Sequence, residues 1–175
     1  MRELVYSVAT SLDGFIAGPN GEYDWIIQDP TIDFGEIFQQ FDTIIMGRHC
    51  YEFMQREGHS AREFGMKVFV VSTTLDPAKH TDVTVVGSDI ASLVADLKHK
   101  SGKDIWLFGG GTTFRGLLDA GLVDRVEVSV IPVLLGGGIP LVPNGRRWSL
   151  RFKDSRTFPS GIVSLTYLVG PEPQI

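Results

Sequence analysis

Residues 104 to 121, DIWLFGGGTTFRGLLDAG, constrain the fold more than any other stretch of the chain. Ile105, Trp106, Leu107 and Phe108 form a short apolar run, three glycines follow, and Phe114, Leu117 and Leu118 then recur at helical spacing. The pattern predicts a buried strand, a tight glycine turn, and a helix that Thr112 caps and Gly121 ends. The first turn of such a helix presents unpaired N–H groups, which attract anions, and glycines let the backbone approach them closely. Two readings stay open at this point. The turn cradles a phosphate, or it merely joins a strand tightly to a helix. The spacing departs from the G-x-G-x-x-G dinucleotide fingerprint, because Phe114 stands where its third glycine belongs.

Similar strand-then-helix units precede this stretch. Leu4–Ala9 reads as a first strand, followed by a loop of turn formers at Gly18, Pro19, Asn20 and Gly21. Asp33 with Glu36 has the spacing of a capping box, and Phe34, Ile37, Phe38 and Phe41 predict an amphipathic helix. Thr43–Met46 reads as a strand turning at Gly47 into a helix that carries Tyr51, Phe53 and Met54 and ends at Gly58. Lys67–Ser72 and Val83–Val86 are further strands, and Ser88 is expected to cap a helix with Ile90, Leu93, Val94 and Leu97 on one face.

The end of the chain changes character. Asp124–Leu134, Ser149–Asp154 and Ile162–Val169 read as strands, and the last two have no helix between them, so they should pair antiparallel. Gly136, Gly137 and Gly138 precede Ile139 and Pro140, which predicts a loop or bulge and not a second cradle. The whole predicts an α/β fold, with helices on both faces of a mostly parallel sheet and antiparallel strands at its C-terminal end.

Length and composition narrow the function. A chain of 175 residues suits one domain. Its net charge of −5 argues against nonspecific nucleic-acid binding, which needs clustered Lys and Arg. Cys50 is the single cysteine, so no intramolecular disulfide can form, and Ser7 and Asp13 interrupt any signal-peptide-like run. No segment approaches 18 consecutive apolar residues, and a soluble cytoplasmic protein is expected. His49, His59, His80 and His99 are scattered, so no metal site is expected, and nothing near Cys50 in sequence marks a nucleophile with an orienting triad.

Three segments together resemble the dihydrofolate reductase superfamily: Ala9 with Asp13-Gly14-Phe15-Ile16-Ala17, Ile45-Met46-Gly47-Arg48-His49-Cys50-Tyr51-Glu52, and Phe108-Gly109-Gly110-Gly111-Thr112-Thr113-Phe114. Within it, Ser11-Leu12-Asp13-Gly14, Leu122-Val123-Asp124 and Leu135-Gly136-Gly137-Gly138-Ile139-Pro140-Leu141 look closer to the reductase domain of riboflavin biosynthesis, the RibD C-terminal type. The resemblance implies a dihydrofolate reductase-like three-layer α/β/α fold over the single domain 1–175 and an NADPH-dependent reduction of a pterin- or pyrimidine-type heterocycle.

It also implies site residues. Ala9 and Ile16 would bracket the nicotinamide. Gly47, Arg48, His49 and Cys50, with Ser72, Thr73 and Thr74, would take the pyrophosphate, the ribose and the adenosine 2′-phosphate. Gly109, Gly110, Gly111 and Thr112 would form the pyrophosphate turn, with Phe108 before it and Phe114 packed nearby. A guanidinium flanked by hydroxyls is sound phosphate chemistry. Asp13, Asp24 and Asp33 are the candidate proton donors, with Asp13 and Asp33 the chosen catalytic pair, although Asp13-Gly14 also fits a turn aspartate bonding its own backbone.

Two departures matter. The riboflavin-pathway reductase usually has a glutamate where this chain has Phe108, and no basic residue for a folate tail is identifiable. Three readings follow: a reductase of the riboflavin-pathway kind, a dihydrofolate reductase, or a nucleotide-binding module without catalysis. Unguarded apolar residues in the Ile162–Val169 segment, and the dimeric family, imply a homodimer.

Overall fold

The computed structural model describes residues 1–170. Its main sheet has eight strands: β1 (Leu4–Ser11), β3 (Phe41–Gly47), β4 (Lys67–Val71), β5 (Thr84–Val86), β6 (Asp104–Gly109), β7 (Arg125–Ile131), β9 (Leu150–Thr157) and β10 (Val163–Val169). Their spatial order is β5-β4-β3-β6-β1-β7-β10-β9. The six strands from β5 to β7 run parallel, and β10 and β9 add antiparallel at one side. Two short strands, β2 (Phe15–Ala17) and β8 (Ile139–Pro140), pair separately.

Alternation within the strands explains the layers. Leu4, Tyr6, Ile45, Ile105 and Leu107 point to one face, where α3 (Ile90–His99) and α4 (Gly111–Asp119) bury Val94, Leu97, Phe114, Leu117 and Leu118. Val5, Ile44, Met46 and Trp106 point to the other, where α2 (Arg48–Arg56) buries Tyr51 and Met54. Strands covered on both faces read as continuous apolar runs, which is why the parallel region was legible from sequence. Gly121 does end α4. At φ +70° it lets its own N–H reach the Leu118 carbonyl while the Leu122 N–H reaches that of Leu117.

Several expectations are corrected. The helix expected to run through Phe41 is only α1 (Phe34–Phe38), with Phe34 exposed, because Phe41 is drawn into β3 and buried there. Asp33 accepts the Glu36 N–H, so it caps the helix. The helix expected to start at Ser88 is preceded instead by Asp89, whose side chain makes no cap bond. The segment after Gly136–Gly138, expected as a loop or bulge, includes β8, which pairs with β2, and Leu141 N–H donates to the Gly14 carbonyl. The last two strands do lie at one edge of the sheet, but β9 is outermost there and covers β10, so the unguarded Ile162–Val169 segment is paired on both sides, and Arg151, Lys153 and Arg156 stand on the edge strand. At the N-terminal ends of the parallel strands, charges are consumed in joining elements: Arg2 pairs with Asp42, Lys98 with Asp124, and Arg125 with Glu3.

Candidate active site

The opposite, C-terminal ends of the strands hold almost all the residues singled out above. β3 and β6 are neighbours, and Met46 lies opposite Gly109, so the two strands end side by side. Each passes at once into a helix, α2 on one face of the sheet and α4 on the other. Both helices begin behind a glycine, Gly47 and Gly110, and neither has a side-chain cap. This corrects the expected role of Thr112, which lies inside the first turn. Gly110 takes φ +91°, a region that L side chains rarely adopt, and so turns the chain into the helix two residues earlier than a Thr112 cap would.

The two helix starts touch. A Cβ built on Gly110 would come within 3.9 Å of the Gly47 Cα and N, and one on Gly47 would lie 2.8 Å from Thr113 Oγ1. The N-terminal ends of α2 and α4 therefore lie close together, and each begins with orphan N–H groups beside a residue that has no side chain. Gly111 is buried under the second glycine-rich loop, where a Cβ would meet the Pro140 carbonyl oxygen at 3.0 Å. The sequence hinted at this loop only as a turn; its seat over the α4 start was not legible.

Beside the gap stands Arg48, the first residue of α2. Its Nε donates to Glu52 Oε1 at 2.7 Å and its Nη1 to Thr74 Oγ1 at 2.6 Å. Thr74 is set by Ser72, whose buried hydroxyl accepts the Thr74 and Leu75 N–H groups. Arg48, Ser72, Thr73 and Thr74, expected together, are therefore neighbours, with Thr73 exposed. Glu52 was not anticipated as a partner, although its i,i+4 spacing from Arg48 was available. The His49 side chain projects almost entirely into solvent. Cys50 turns inward, 3.3 Å from where a Gly109 Cβ would sit, and burial pushes its thiol up to about 12. It is a packing group, not a thiolate.

The remaining residues divide. Ala9 lies near the end of β1 and Ile16 on β2, both half-buried. Phe114 is buried in the core, stacked on Tyr6 at 3.8 Å between ring centroids. Phe108 faces the α2 side and forms an aromatic wall with Phe64 and Trp106, at 5.6 and 5.0 Å, that continues to Phe38.

Asp13 has both carboxylate oxygens engaged. Ser11 Oγ and the Leu135 N–H donate to one, and the Gly136 N–H to the other. The Ser11 hydroxyl first, then those backbone groups, hold its carboxyl down at about 2. It is an ionised clasp between the β1–β2 turn and the 134–136 loop. Asp24 is exposed, and Asp33 precedes α1 as its cap, with one oxygen toward the Glu36 N–H. A carboxylate that sequence reasoning missed, Asp29, is buried and accepts the Thr31 and Ser160 N–H groups, and these contacts hold it well below the usual carboxylate range. Its Asp-Pro-Thr context marks a turn, but nothing local points to Ser160. Among the described residues no group of three or more His, Cys, Asp or Glu is placed to hold a metal.

A sheet of this order, with paired glycine-led helix starts at the end of its parallel strands, defines a dihydrofolate reductase-like fold. The sequence profile of the RibD C-terminal domain matches residues 2–164, and the chain belongs to that family. Protein YyaP of Bacillus subtilis (strain 168) is 34% identical over 178 residues, covering 95% of this chain and 94% of the relative. A candidate riboflavin biosynthesis protein from Shewanella sp. PV-4 superposes with a TM-score of 0.81 at 28% identity, covering 98% of this chain and all of the other. The dihydrofolate reductase of Enterococcus faecalis, solved with NADP(H) and RAB-propyl, shares the fold with a TM-score of 0.69 at 18% identity, over 97% of both chains. A deaminase/reductase from Thermotoga maritima shares the fold as well, with a TM-score of 0.70 at 15% identity. No helix among the described residues is long and apolar enough to cross a membrane.

Proposed function

We propose that residues 1–175 act as one NADPH-dependent reductase domain for a flat pterin- or pyrimidine-type heterocycle. The observation that carries the reading is the pair of uncapped, glycine-led helix starts with Arg48 and Thr74 beside them. That arrangement fits a dinucleotide: the N–H groups after Gly47 and Gly110 suit a pyrophosphate, and Arg48 with Ser72, Thr73 and Thr74 suits a 2′-phosphate and its ribose. NADP(H) in the Enterococcus enzyme supports the same choice. When bound, the cofactor supplies a hydride.

This chain's residues supply the rest. Ala9 and Ile16 flank the nicotinamide, and the half-buried Phe38 and Phe108, held by the buried Trp106 between them, give a flat ring an apolar edge to pack against. Asp13, already ionised and fully bonded, keeps two loops in register and holds no proton to give at neutral pH. Asp33 has an oxygen left over from its cap bond and is the carboxylate free to hold an ordered water. The chain also self-associates in this reading. Phe152 is exposed beside Tyr167, 5.9 Å between rings, and Leu150 is exposed on the same strand.

The test is oxidation of NADPH, followed by its absorbance, with dihydropterins and ribosylated aminopyrimidines as substrates. Turnover with one of them is expected. Tight NADPH binding with no turnover on any would favour the non-catalytic reading, for which Phe108 in place of a carboxylate is the supporting observation.

A further inference from the structure

The site places an acid where a phosphate-binding pocket has least use for one. The Glu52 carboxylate holds Arg48 Nε at 2.7 Å and stands 3.9 Å from the His49 ring nitrogen. Its side chain is one-third exposed, and it lines an open cleft of about 590 Å³ along α2 with His49, Gln55 and Arg56. Arg48 thus approaches any anion with two of its nitrogens engaged, one by Glu52 and one by Thr74. The two bonds pull the guanidinium between α2 and the loop after β4, which fixes its direction. They differ in charge. Thr74 orients Arg48 and leaves its charge whole, whereas Glu52 orients it and cancels much of its field.

Resting on the cofactor reading above, we propose that Glu52 is the specificity-determining residue that limits preference for a 2′-phosphorylated nucleotide. A dianionic 2′-phosphate beside Arg48 also lies beside the Glu52 carboxylate and is repelled by it. A 2′-hydroxyl carries no charge, is not repelled, and can donate a hydrogen bond to that carboxylate. Glu52 therefore weakens NADPH binding without weakening NADH binding, and the wild-type chain discriminates between the two only modestly. Gln at this position would keep an oxygen to accept from Arg48 Nε and so keep the orientation, while removing the charge.

The experiment measures dissociation constants of the intact protein for NADPH, NADH, 2′,5′-ADP and 5′-AMP by calorimetry. The variants are Glu52→Gln, Thr74→Val and Arg48→Ala. Glu52→Gln is expected to tighten NADPH and 2′,5′-ADP by about two- to five-fold, the range of a half-exposed charge pair, with NADH and 5′-AMP unchanged or slightly weakened. Thr74→Val, which removes an orienting bond and no charge, is expected to move NADPH the other way. A role in helix stability alone would shift all four ligands together, and that outcome overturns the proposal. An unchanged or reduced NADPH-to-NADH preference in Glu52→Gln also overturns it. If Arg48→Ala lowers the preference while Glu52→Gln fails to raise it, this proposal falls and the cofactor reading stands. If Arg48→Ala weakens all four ligands equally, or the wild type binds none, both fall.

Discussion

Gly47→Ala tests the cradle more cleanly than any change at Gly110. Gly47 has φ −75° and ψ 159°, which any residue adopts, so the new methyl brings no backbone strain. It does bring a clash, since its Cβ would lie 2.8 Å from Thr113 Oγ1. Thr113 must rotate, at a cost of about 0.5–1.5 kcal/mol for a displaced rotamer. For a chain of this size each kcal/mol lowers Tm by about 2–4 °C, so a fall of about 1–6 °C is expected in thermal unfolding. Nucleotide binding should suffer more. A methyl between the two helix starts blocks at least one charge-assisted N–H bond to the anion, worth about 1.5–3 kcal/mol, or roughly a ten- to hundred-fold rise in Kd for NADPH. The double variant Gly47→Ala with Thr113→Ala separates the two effects. It removes the clash and leaves the methyl, so Tm should return toward wild type while binding stays weak, and Thr113→Ala alone should bind normally. Wild-type affinity in Gly47→Ala, or binding that recovers together with Tm in the double variant, would refute the cradle.

Asp13 has a carboxyl held near 2, so its native contacts stabilise the fold above about pH 4, the range where it is charged even when unfolded, and that contribution disappears as pH falls toward 2. Asp13→Asn should therefore flatten the acid limb of a Tm-against-pH curve, and an unchanged limb would show that the clasp contributes nothing. Cys50, half-buried with its sulfur turned toward Gly109 and its thiol pushed up to about 12, should react far more slowly with iodoacetamide at neutral pH in the native protein than after unfolding; equally rapid native labelling, read by mass spectrometry, would contradict that placement. Phe152→Asp should convert a dimer into a monomer in light scattering, because a self-complementary interface doubles the effect of one buried charge; a wild-type mass of 19.3 kDa at micromolar concentration would remove the dimer altogether.

What the sequence determined by itself lay wherever neighbours in the chain are also neighbours in space. The run Ile105–Phe108, the glycines after it and the helix through Leu118 sit within one βα unit, and Gly121 ended that helix as its spacing required. Continuous apolar runs marked the parallel strands because both their faces are covered. The grouping of Gly47, Arg48, Ser72–Thr74 and Gly109–Thr112 came from resemblance, and the fold places their elements at one end of adjacent strands.

Only the tertiary structure decided the rest. Phe41 had helical spacing, but pairing with Asp104 on β6 and burial against Trp106 drew it into a strand. Thr112 had the chemistry of a cap and lost the position to Gly110, whose conformation starts the helix earlier. Asp13 also fitted a turn aspartate and Asp29 went unremarked, yet groups that hold them, Leu135 and Gly136 for one and Ser160 for the other, lie more than a hundred residues away. Which carboxylate is clasped, which is free, and whose charge an arginine must share depends on long-range contacts, and local periodicity carries no record of those.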